Sequence, residues 1–76
     1  MEIKARIEGL QQIAVHGSPY VRVFYSVAGD PETIQRCQLP KEAVDDGVAV
    51  GDAVRMTVLM STVMEVLRIP DEKLDR

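Results

Sequence analysis

Tyr20-Val21-Arg22-Val23-Phe24-Tyr25-Ser26-Val27 is the stretch that decides the fold. It is rich in β-branched and aromatic residues, with Val21, Val23, Tyr25 and Val27 on one side and Tyr20, Arg22, Phe24 and Ser26 on the other. A period of two is that of a strand burying one face. Toward the N-terminus, His16-Gly17-Ser18-Pro19 has the composition of a turn. Before it the same alternation starts with the chain, with Ile3, Ala5 and Ile7 set against Glu2, Lys4, Arg6 and Glu8. Gly9 interrupts that strand where a missing side chain marks a bulge or sharp bend, and the apolar pattern resumes at Leu10, Ile13 and Val15.

Toward the C-terminus, Ala28-Gly29-Asp30-Pro31 reads as a tight turn, and Thr33 to Leu39 returns antiparallel as a third strand. Pro40 ends it. Lys41-Glu42-Ala43-Val44-Asp45-Asp46 has room for one or two helical turns, closed by Gly47. After the Gly51-Asp52 turn, Val54, Met56, Val58 and Met60 alternate with Ala53, Arg55, Thr57 and Leu59 as a fourth strand. Ser61-Thr62 breaks the run, and Val63 to Ile69 forms a fifth strand, or a bent continuation of the fourth, stopped by Pro70. Five short strands with one helical turn before strand four predict an all-β fold, a small barrel of the OB or SH3-like kind. Closing a sheet also removes its exposed edges. Residues 1–70 form the single domain, and 71–76 a short charged tail.

At 76 residues and 8.4 kDa the chain can build one core. With 46% hydrophobic and 28% charged residues it has the composition of a folded protein, not of a disordered or fibrous one. The net charge of −3 and the interleaved signs count against a nucleic-acid tail. No apolar run approaches the ~20 residues of a membrane helix, and the alternating N-terminus lacks an apolar signal core. A cytoplasmic address follows, in keeping with the single cysteine, Cys37. So small a chain without a covalent staple gains from burying more surface, which predicts a homo-oligomer.

Chemistry-bearing groups are few. One His and one Cys, twenty-one positions apart, do not make a metal site, and no activating partners accompany either as a nucleophile. His16 reads as an exposed turn residue and Cys37 as a half-buried strand residue. The adjacent acids Asp45-Asp46 and Asp71-Glu72 read as solvated turns, and the glycines at 47 and 51 do not have the spacing of a phosphate-binding loop. An enzyme is therefore not expected. Met56, Met60 and Met64 recur every fourth residue, which in a strand places all three on one side, as core or as an oligomer interface. Tyr20, Arg22 and Phe24 share one face and suit stacking on single-stranded nucleic acid, although three aromatics and an acidic balance rank nucleic acid below other partners.

The stretch from Thr33 to Val66 resembles the second half of the transport-associated OB (TOBE) family, whose self-standing members are the molbindins. The matching features are Thr33-Ile34, the turn at Lys41 to Asp46, Val50-Gly51-Asp52-Ala53-Val54-Arg55-Met56-Thr57-Val58, and Ser61-Thr62-Val63. The resemblance implies a molybdate-like oxyanion, molybdate or tungstate, held between subunits by hydroxyl and backbone N–H donors around Ser61 and Thr62. Where molbindins carry a lysine two positions before the first serine this chain has Leu59, and it contains no Asn. The expected function is a non-catalytic binding or assembly module. Three ligand classes stay open: an oxyanion, a protein partner with no small ligand, and single-stranded nucleic acid.

Overall fold

A computed structural model describes residues 1–70, so the expected tail at 71–76 lies outside the described residues. Five antiparallel strands form one sheet: β1 (Glu2–Val15), β2 (Ser18–Val27), β3 (Asp30–Pro40), β4 (Ala53–Leu59) and β5 (Thr62–Arg68). Their order across the sheet is β3-β2-β1-β4-β5. The long β1 organises the molecule because its first part pairs with β4 (Glu2 with Thr57, through Arg6 with Ala53), and from Ala5 onward it pairs with β2. Ile7 sits at this exchange. Its N–H donates to Asp52 O at 3.0 Å and its carbonyl accepts from Gly51 N at 2.8 Å, so the Gly51-Asp52 turn continues the bonding where β4 leaves off.

Gly9 marks a bulge as its position in the sequence suggested. Ile7 pairs with Tyr25 and Gly9 with Phe24, leaving Glu8 without an opposite number. The extra residue reverses which face each later side chain meets. Leu10 continues the core face opposite Val23, whereas Ile13 and Val15 lie with Tyr20 and Ser18 on the outer face. The apolar spacing of Leu10, Ile13 and Val15 thus serves two faces. β3 is longer than expected, starting at Asp30 and including Pro40, which pairs with Tyr20 at the edge.

The core is built from Ile7, Val21, Val23, Tyr25, Leu39, Val54, Met56, Val63 and Val66, with Ala5 beneath them. All are apolar or aromatic, and Ile7, Leu39 and Met56 are the largest of the fully buried side chains. The helical expectation shrinks to one 3-10 turn, Lys41–Ala43. Val44 leaves it extended because the chain has a better partner there: Val44 makes a parallel bridge to Val66, and Asp45 N–H donates to Val66 O at 2.9 Å. Asp45 Oδ2 then accepts from Arg68 N at 3.1 Å. Tertiary bonding to β5 outweighs the helix propensity of Glu42 to Asp46. This segment also covers part of β5, one of the two edge strands, while β3, the other, lies against β5 across the open seam of the ladder.

Candidate functional site

Met56 and Met60 were expected on one strand face with Met64, and the structure separates them. Met56 is fully buried, Met60 is 90% exposed and Met64 is 50% exposed. Two features of the backbone account for this. Met60 and Ser61 are the two central residues of a tight β4–β5 hairpin, closed by the pair Leu59 and Thr62, with φ of 52° and 67°. Beyond the turn, Val58 pairs with Val63 but Thr57 pairs with Glu65, so Met64 is the unmatched residue of a second bulge. That bulge puts Val63 and Val66, three apart, into the core, where an unbroken strand would have sent residues two apart. Strands four and five are therefore a true hairpin and not one bent strand.

Ser61 and Thr62, the expected ligand residues, lie at the exposed tip of this hairpin. Leu59 and Met60 flank them, and no charged residue occurs between Arg55 and Glu65. The N-terminus belongs to the same end of the molecule. The Met1 ammonium donates to Val58 O at 3.0 Å, and Val58 N–H donates to Met1 O at 2.6 Å. Met1, Leu59, Met60 and Met64 are thus exposed large apolar side chains on and beside the tip of one hairpin, while Leu67, opposite Arg55, is exposed further along β5. Met1, Leu59 and Leu67 were not singled out from the sequence. The signal for them is topological, since it needs the pairing of β1 with the end of β4.

The Met60-Ser61 turn is also at odds with its sequence. Two-residue hairpins with both central residues at positive φ favour Asn-Gly or a similar pair, and His16-Gly17 between β1 and β2 partly meets that demand with glycine. Met60-Ser61 has no glycine, and each L-residue held there costs about 1 kcal/mol or more. Elements that keep such strain are the ones to examine for function.

Other candidates settle into structural roles or a second surface. His16 is an exposed turn residue, as expected. Cys37 is half-buried against the core, and burial pushes its thiol pKa up to about 11, away from nucleophilic behaviour. Burial, with Cys37 beside it, also raises the Tyr25 phenol. Among the described residues no group of three His, Cys, Asp or Glu side chains could hold a metal ion. An open concavity beside the 3-10 turn, lined in part by Lys41, Asp45, Asp46, Glu65 and Leu67, is acidic in character. Tyr20, Arg22 and Phe24 share the outer face of β2, as expected. No helix among the described residues is long and apolar enough to cross a membrane. Compared with protein-family models, curated proteins and solved structures, the chain matches none.

Proposed function

We propose that this chain is a non-catalytic assembly module, an OB-like barrel that joins a second copy of itself through the β4–β5 hairpin. The strand order β3-β2-β1-β4-β5, with a helical turn between β3 and β4, supports the OB-like reading. The apolar hairpin carries the assembly reading. Exposed Leu59, Met60 and Met64 stand on a tip with no charge from Met56 to Met64, and Met1 is tied to its base. Side chains without charge suit self-pairing in particular, because a two-fold contact sets each patch against its own copy and like side-chain charges would face one another, while the Met1 ammonium is engaged by Val58 O. The proposed site of action is cytoplasmic, in keeping with one unpaired cysteine.

The oxyanion reading attaches to the same place. Ser61 and Thr62 supply hydroxyl donors at the tip, and self-association there would bring the donors of two copies around one anion. Both readings are tested on the full chain by its mass in solution over a range of concentrations, together with calorimetric titration of molybdate, tungstate and sulfate. The mass is expected to rise with concentration and to fall back to one chain in Met60→Lys. Heat from molybdate and tungstate, but not sulfate, abolished in Ser61→Gly, is expected if the anion is the ligand. A chain that stays monomeric throughout overturns the assembly reading. An assembled chain that gives no heat removes the oxyanion and leaves a protein-interaction module.

A further inference from the structure

Tyr20, Arg22 and Phe24 occupy alternate positions of β2 on the side turned away from the core. The chain has three aromatic residues; Tyr25 is in the core and the other two are both here. Alternate positions of a strand are roughly 6.6 Å apart, so a guanidinium stands between two rings along one straight line. The neighbouring strands shape this line. On β1, Gly9 lies opposite Phe24, and a Cβ at Gly9 would stand 3.4 Å from Phe24 Cδ1, so the ring lies over a backbone without a side chain. Gln11 Oε1 accepts from Arg22 Nη1 at 3.1 Å and steadies the guanidinium.

On the other side, β3 sets Arg36 opposite Phe24 and Gln38 opposite Arg22, and Arg22, Arg36 and Gln38 line one shallow depression. No acid occupies the positions of Tyr20, Arg22 and Phe24 or their register partners on β1 and β3. The acid next in line on β1 is the bulged Glu8, whose Oε2 accepts from Ser26 Oγ at 2.6 Å. Although the chain as a whole carries −3, the positions of Tyr20, Arg22 and Phe24 and their partners carry two arginines and no carboxylate, with Glu8 on Ser26 at the end of the line.

We propose that this outer face of β1, β2 and β3 binds single-stranded nucleic acid, with Phe24 and Tyr20 stacking on bases and Arg22 and Arg36 meeting phosphates. Whole-chain charge argues against such a partner only while it is averaged, and along the line from Tyr20 to Phe24 the charged side chains are arginines. Unpaired bases offer the faces that the two rings require, and a duplex hides them. An acidic peptide would engage the arginines and leave the rings without a purpose.

The test is fluorescence polarisation of labelled oligothymidylate and oligouridylate with the full chain at low and moderate salt. Phe24→Leu keeps an apolar cover over Gly9 while removing the ring, and Arg22→Gln keeps a polar side chain beside Gln11; thermal unfolding checks that both fold. Binding of single strands is expected, weakened about fivefold or more by Phe24→Leu, since one stacked base accounts for roughly five- to 150-fold. Two phosphate contacts predict a log–log salt slope of about −1.4 in the parent, shallower in Arg22→Gln. DNA and RNA arms distinguish the two sources of the strand. Absence of binding at low salt, undiminished binding by folded Phe24→Leu, or displacement by oligoglutamate as readily as by unlabelled strand would each overturn the proposal.

Discussion

Cys37 illustrates how one residue's placement sets a property of the whole fold. It pairs with Val23 from the edge strand β3 and packs against the core, where desolvation raises its pKa to about 11. The folded state therefore holds this proton more tightly than the unfolded chain, whose thiol titrates near 8.5. The associated stability is complete below the unfolded pKa and is lost as pH rises through the folded one. Chemical denaturation should accordingly show stability falling between roughly pH 8.5 and 11, by less than the ~3.4 kcal/mol of a fully buried thiol because solvent screens the half-buried Cys37. Cys37→Val should flatten most of that decline and leave only the smaller share from Tyr25, whose phenol is raised for the same reason. An identical decline in Cys37→Val would show that the thiol is not its source. At this scale the sequence was a good guide for Cys37 and His16, because each role follows from neighbours in the chain. It misled on Met60 and Met64, because their positions depend on a turn and a bulge that a strict period of two does not anticipate.

Among the elements, the β1–β2 and β4–β5 turns and the bulges at Glu8 and Met64 explain what could and could not be read. The bulge in β1 announces itself through Gly9, and the His16-Gly17 turn through its glycine. The β4–β5 turn and the bulge at Met64 carry no such marker, so Met60 reads as strand and Met64 as its continuation. The 3-10 turn was legible at Lys41 to Ala43, while the extended path from Val44 follows from hydrogen bonds to β5, which only the folded chain provides. The turn supplies its own test. Ser61 holds φ of 67°, a conformation that glycine adopts without the Cβ penalty. Ser61→Gly is expected to raise unfolding free energy by about 1 kcal/mol, read by urea denaturation at concentrations low enough to keep the chain dispersed. A loss of stability would mean that the Ser61 hydroxyl contributes more to the fold than its backbone costs.

For the molecule as a whole, one small core joins two surfaces of different character. The tip of the β4–β5 hairpin offers exposed apolar side chains without side-chain charge, and the outer face of β2 and β3 offers two rings and an arginine pair. The long, bulged β1 makes both, since it pairs with β4 through its first residues and with β2 through the rest. An alternating sequence foretold five strands, the central helical turn and the Tyr20, Arg22 and Phe24 face. Strand order and the gathering of Met1 beside Leu59 and Met60 are long-range results, beyond the reach of local periodicity. Assembly through the hairpin is the central claim. Amide chemical shifts recorded on serial dilution test it most directly, because they report both that copies associate and where. Concentration-dependent shifts at Leu59 to Thr62 and at Met64, with the Tyr20 to Phe24 amides steady, are the predicted result. Shifts that do not move with dilution, or that move on β2 and not at the hairpin, would contradict it.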